Sequence, residues 1–139
     1  YQAAERWFRT AANKGNADAQ NKLGYIYYKG EGKDVNYEEA FRWYKKAAQQ
    51  GKPEALNYLG LIFYMGRGVE RDYKRAFEFY KEAAEKGLAS AMNNLGVCYQ
   101  LGIGIEKNLE EAVYWYKKAA ELGSDASLQA LKKMGIEIE

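Results

Sequence analysis

The feature that most constrains this chain is a set of residue markers that recur every 36 positions without an insertion. Leu-Gly pairs stand at Leu23-Gly24, Leu59-Gly60 and Leu95-Gly96. Aromatic pairs stand at Trp7-Phe8, Trp43-Tyr44, Phe79-Tyr80 and Trp115-Tyr116, each followed by Ala-Ala at 11–12, 47–48, 83–84 and 119–120. A glycine closes each block at Gly15, Gly51, Gly87 and Gly123, and a Gly-x-Gly element recurs at Gly30/Gly32, Gly66/Gly68 and Gly102/Gly104. So many markers in one register define an internal repeat, and a period of this length belongs to stacked supersecondary units.

Each unit reads as two helices. The first, helix A, spans about 17–29 in the first full unit, with Ala19, Leu23, Ile26 and Tyr27 on one face at helical spacing. The second, helix B, spans about 37–50, with Ala40, Trp43, Tyr44, Ala47 and Ala48 as its stripe. Asn36 with Glu39 and Asn108 with Glu111 have the spacing of a capping box. Gly51, Gly87 and Gly123 sit where a helix end takes positive φ, and Pro53 suits a first helical turn. Lys45-Lys46 and Lys117-Lys118 lie in last turns, where the helix dipole favours cations. Glycine inside a helix costs about 1 kcal/mol against alanine, so Gly24, Gly60 and Gly96 predict a neighbouring side chain lying over helix A. One helix pair cannot bury its own apolar face, whereas stacked pairs can. The predicted fold is therefore all-α: an α-solenoid of antiparallel helix pairs, about eight helices, without a sheet. It is one repeat domain over 1–139, divided into a half unit 1–15, units 16–51, 52–87 and 88–123, and a terminal half unit 124–139. The last helix, about 125–134, keeps Leu131 but has Lys132 in place of the motif glycine.

The pattern A-x-x-x-L-G-x-x-Y-x-x-G-x-G followed by A-x-x-W-Y-x-K-A-A-x-x-G, running from Ala19 to Gly32 and from Ala40 to Gly51, resembles the Sel-one-like repeat (SLR), a relative of the tetratricopeptide repeat. The likeness covers nearly the whole chain, with Phe79 replacing the tryptophan in one copy. A tetratricopeptide unit usually has about 34 residues, so the longer period and the Gly-x-Gly point to the SLR variant. The resemblance implies a protein–protein scaffold or adaptor, in bacterial envelope, effector or signalling settings or in eukaryotic quality control. Some secreted members carry a cysteine pair in each repeat, a pattern this chain lacks.

Composition narrows the chemistry. The 47% hydrophobic and 29% charged content is that of a soluble globular chain. The formal net charge of +2 gives no reason to expect nucleic acid or an anionic membrane as partner. No histidine is present, which removes His bases, Ser-His and Cys-His pairs and His metal sites. The single cysteine, Cys98, forms no internal disulfide, and its position matches Ile26 and Ile62 on the buried stripe. None of Ser90, Ser124 or Ser127 has a lysine three residues on, so the Ser-x-x-Lys of β-lactamase-like chemistry is missing. The Gly-x-Gly elements end helices and lack a following Lys-Ser/Thr, so they read as turns and not as phosphate cradles. The expectation is no enzyme, no metal, no cofactor and no membrane insertion. Tyr1 falls within a helix B pattern, so the chain reads as a fragment or processed product, monomeric or part of a longer array. The compartment is left open among bacterial cytoplasm, periplasm and secretion.

Helix B has a charged back, in the first unit Glu38, Arg42, Lys45 and Gln49. Helix A does not. Some 140–160° round the wheel from Leu23, at about 3.6 residues per turn, lie Asn21, Tyr25 and Tyr28. The equivalent sets are Asn57, Leu61 and Tyr64, then Asn93, Val97 and Gln100, flanked by Met65 and Leu101. Exposed apolar ground of this kind marks a binding surface. Asn21, Asn57 and Asn93 share one repeat position, held by Gln129 in the last half unit, and amides can hold a peptide backbone through donor and acceptor alike. These residues are the candidate groove, expected on a concave side, for a peptide or a helix. The alternative is a structural spacer in a longer array, with no ligand of its own.

Overall fold

In the computed structural model, which describes residues 2–137, the markers become helices at the expected places. The described residues form α1 (Gln2–Asn13), α2 (Ala17–Lys29), α3 (Tyr37–Gln49), α4 (Pro53–Met65), α5 (Tyr73–Glu85), α6 (Ala89–Leu101), α7 (Leu109–Glu121) and α8 (Asp125–Lys133), and no strand. Helices α2, α4, α6 and α8 are helix A; the others are helix B. The chain divides into two compact units between Arg71 and Asp72, each of four helices. Within each unit every helix packs on its neighbours in sequence, and the A–B pairs α2/α3 and α6/α7 are the most intimate. The architecture is an α-solenoid of 36-residue repeats.

The core is the predicted stripe. Ala19, Leu23, Ile26 and Tyr27 of α2 are buried, as are Ala40, Trp43, Tyr44 and Ala47 of α3, with Ala48 at its margin. Leu23, Leu59, Leu95 and Leu131, one per helix A, are each at most 1% exposed. In the second unit Ala112, Tyr116 and Leu131 form one such cluster, with Val97, Val113, Ala130 and Ile136 packed round it.

Gly24 and Gly96, inside helix A, have the predicted neighbour. A Cβ on Gly24 would come within 2.8 Å of the Tyr44 ring, and one on Gly96 within 2.7 Å of the Tyr116 ring. The aromatic of helix B thus lies against the bare backbone of helix A in the same repeat. The Gly-x-Gly turn has two separate reasons. Its first glycine ends helix A in the left-handed region, as at Gly30 with φ 75° and Gly102 with φ 74°. Its second, at Gly68 and Gly104, is also left-handed, and touches the start of the preceding repeat's helix B. A Cβ on Gly68 would lie 2.9 Å from Tyr37 Cβ, and one on Gly104 only 2.1 Å from the Tyr73 carbonyl oxygen.

The capping boxes are half formed. Asn36 and Asn108 accept from the N–H of Glu39 and Glu111 at 3.1 Å, as the spacing predicts. Their own N–H groups, which a capping-box glutamate would satisfy, donate instead to the Tyr27 carbonyl at 2.9 Å and the Tyr99 carbonyl at 2.8 Å. Glu39 is left to accept from Arg42 at 2.7 Å. The displaced bond ties the start of helix B to the end of helix A across the glycine turn.

Candidate functional site

The candidate residues divide by unit. In the first, Asn21 and Tyr25 of α2 and Asn57, Leu61 and Tyr64 of α4 are half-buried, and Met65 is 46% exposed. Tyr25 meets Tyr58 edge-on, with centroids 6.2 Å apart. Tyr28, expected on the open face, is buried. Its ring lies among Tyr37, Tyr44 and Tyr58, with centroids 5.4–6.5 Å away, and its hydroxyl accepts from Arg67 at 3.0 Å. Burial raises its pKa against the opposing pull of Arg67. Tyr37 and Tyr44 of α3, Tyr58 of α4 and Arg67 of the turn after α4 close over the side of α2 opposite Leu23.

In the second unit three more residues turn inward. Asn93 Oδ1 accepts from the Ser127 hydroxyl at 2.7 Å. Gln100 Oε1 accepts from the Tyr116 hydroxyl at 2.7 Å. Val97, expected on the groove, packs on the Ala112/Tyr116/Leu131 cluster. Leu101, 64% exposed, and Gln129 remain open.

Comparison at the 72-residue offset sharpens this. Gln100 satisfies Tyr116, but its counterpart Tyr28 offers Tyr44 no partner, and the buried Tyr44 hydroxyl has none. Ser127 satisfies Asn93, but the residue at its position is Ala55, and Asn21 Oδ1 is buried without a partner. Leaving a buried polar group unsatisfied costs about 1–3 kcal/mol. The first unit therefore carries a polar deficit that the second has closed from within. Sequence reasoning missed Tyr44, Tyr58 and Arg67 at this face. The usable signal was Tyr58, which stands where the other helices A have Lys22, Asn94 and Ala130.

Several chemistries find no site. Among the described residues no group of three or more Cys, Asp or Glu is placed to hold a metal, and no helix is long and apolar enough to cross a membrane. Cys98 is 1% exposed, and burial pushes its thiol up to about 12. It is expected to resist a disulfide reagent at pH 8 until the chain is unfolded by denaturant, because the thiolate is the reactive form. Rapid labelling of the native chain would contradict this placement. Burial also pushes Tyr116 up to about 12. Both groups lose protons more readily in the unfolded chain. The stability they contribute is fully present below about pH 9 and falls as pH rises toward 12. Urea titrations at pH 7, 9 and 11 should show the midpoint dropping on this alkaline limb.

The fold defines a helical-repeat protein. The chain belongs to the Sel1 repeat family: the family model matches residues 1–16, 17–52, 53–88 and 89–124. A Sel1 repeat protein from Oxalobacter formigenes is 40% identical, with TM-score 0.88 over 94% of this chain and 53% of that one. The protein c5321, a protective antigen present in uropathogenic Escherichia coli strains and displaying an SLR fold, is 39% identical, with TM-score 0.87 over 91% of this chain and 27% of its own. Helicobacter pylori cysteine rich protein B shares the fold at 22% identity, with TM-score 0.73 over 91% of this chain and 96% of that protein. The chain thus spans about half or less of the first two. No curated protein matches it.

Proposed function

We propose that the chain is a non-catalytic protein–protein interaction scaffold that takes a peptide or a helix on the open side of its helices A. Sel1 repeats commonly serve protein interaction, and the residues support the same role here. The observation that carries it is the contrast between α2 and α4 on one hand and α3 on the other; other helices B do expose large apolar residues, Trp7 of α1 at 66% and Tyr114 of α7 at 51%. Met65 at 46% and Leu101 at 64% exposure, with half-buried Tyr25 and Leu61, leave apolar ground on helix A. The exposed side of α3 is Glu38, Arg42, Lys45 and Gln49. Asn21 Oδ1 is buried, Asn57 already has an interaction within the fold and Asn93 is held by Ser127, so the apolar residues and not the asparagine row would carry the binding.

The test is capture of partners from the source cell with the chain as bait, followed by titration of what is captured. Tyr25→Ala with Met65→Ala should weaken binding at least about tenfold, whereas Glu38→Ala with Arg42→Ala on α3 should leave it unchanged. The opposite pattern would place the binding surface on helix B. A spacer role is favoured by one observation: Asn93, Val97 and Gln100 are spent on internal contacts. Capture of no partner by the wild-type chain would select that role.

A further inference from the structure

The open face of the first unit is also distinguished by charge. Residues 1–71 contain twelve Lys and Arg against eight Asp and Glu, whereas 72–139 contain nine against eleven. On the helix A side of this unit, Asp18 is answered by Lys52, whose Nζ lies 2.6 Å from Asp18 Oδ1; the same Nζ stands 3.6 Å from Glu54 Oε1, which is buried without a hydrogen-bond partner. Lys22, Lys29 and Arg67 have no such counterpart, and the last two meet on one ring. Lys29, in the last turn of α2, sits with Nζ 5.9 Å from the Tyr28 ring centroid. Arg67, between the two glycines of the turn after α4, stands with Cζ 5.6 Å from the same ring and 5.3 Å from Tyr37. Its Nη1 donates to the Tyr28 hydroxyl at 3.0 Å. Neither cation forms an ion pair with a carboxylate of the described residues. Both are therefore gathered on one buried tyrosine. Arg67 is oriented by that hydrogen bond, with donors of its planar fork to spare.

We propose that Lys29 and Arg67 form an anchor for the carboxylate of an Asp or Glu in a peptide ligand, on the surface assigned above. The inference rests on that assignment and adds the ligand's chemistry to it. A guanidinium fork matches a carboxylate with two parallel hydrogen bonds, and Lys29, set against the same tyrosine ring, supplies a second, mobile charge. The neighbouring ground sets what flanks the acid. A cavity of about 360 Å³ between α1 and α2 is lined by Ala4, Phe8, Tyr25 and Ile26, with Lys22 and Glu31 at its polar edge. It takes an apolar side chain, and Glu31 disfavours a second acid there. The ligand is accordingly a peptide with an acidic residue close to an apolar one. The anchor belongs to the first unit alone. At the 72-residue offset Lys29 becomes Leu101, and one repeat on Arg67 becomes Ile103.

The experiment selects binders from an immobilised random decapeptide library, using the full chain as the soluble probe. Enrichment of Asp and Glu beside an apolar residue is expected. Glu→Gln in a selected peptide should weaken binding about tenfold, and added salt should weaken the parent peptide more than the Gln form. Lys29→Glu with Arg67→Glu should shift selection toward Lys and Arg, while Lys45→Glu on α3 should not. Lys29→Glu alone alters an exposed side chain, so it reads the charge effect without risk to the fold, which circular dichroism checks. An acidic bias that survives charge reversal overturns the anchor. So does binding of phosphoserine peptides with none of their Glu counterparts. Selected peptides without acidic bias, yet dependent on Tyr25 and Met65, overturn the anchor and leave the surface standing. Selection of no peptide at all overturns both.

Discussion

Replacing Leu59 by alanine is expected to lower the stability of the chain by about 2–5 kcal/mol, the range for a fully buried leucine. Leu59 is 1% exposed, and its repeat partners Leu23, Leu95 and Leu131 are no more open. Domains of this size have about 5–15 kcal/mol in hand. In a stack whose stability is a sum over units and their interfaces, a loss at an inner helix weakens its own unit and the contacts it makes. Urea unfolding followed by circular dichroism should show a clear fall in midpoint. Leu101→Ala is the matched control: it removes the same atoms from a residue 64% exposed, and should stay within about 0.5 kcal/mol. Equal midpoints for the two variants would mean that the leucine stripe is not the core.

The second large effect is expected at Gly104. Two glycines of one turn, Gly102 and Gly104, share nearly the same backbone, with φ 74° and 72°. Alanine at either meets the left-handed penalty of about 1–2 kcal/mol. The surroundings differ. A Cβ on Gly102 has its nearest neighbour at 3.7 Å, whereas one on Gly104 would sit 2.1 Å from the Tyr73 carbonyl oxygen and 2.9 Å from Phe77 Cβ. Backbone cannot swing aside as a side chain can, so the turn or the start of α5 must move. Gly104→Ala is expected to cost on the order of 2–4 kcal/mol more than Gly102→Ala. Parallel denaturation of the two variants measures the difference directly. A difference near zero would show that the turn does not touch α5 as described.

Much of this architecture is legible in the residues because each rule is stated several times over. Leu23, Leu59 and Leu95 repeat one instruction, and the glycine turns bound each helix to within a residue. The open face was harder to read. A helical wheel assigns one inward direction, but Tyr58 of α4 and Arg67 of the turn after it cover α2 from a second one, so Tyr28 lies inside although it stands nearly opposite Leu23. Gln100 and Asn93 are inside for a different reason: hydroxyls of Tyr116 and Ser127 draw their amides in. Those pairings join residues 16 and 34 positions apart, beyond the reach of local spacing. The capping boxes misled likewise, since the carbonyl that displaces Glu39 comes from Tyr27, at the end of another helix.

The aromatic ring laid on a bare glycine has a wider consequence. Where two helices are held apart by interlocking side chains, their separation depends on many atoms and drifts as those atoms change. Here the gauge between Gly24 and Tyr44, and again between Gly96 and Tyr116, is one rigid ring set against bare backbone. Such a gauge is unaffected by what grows elsewhere on either helix. Repeats built on it can vary their more open residues widely, Tyr25 in one copy and Leu61 in the next, and keep the same approach of helix B to helix A. Selection can then act on one face almost independently of the other, altering what a copy offers to a partner without retuning how its two helices pack.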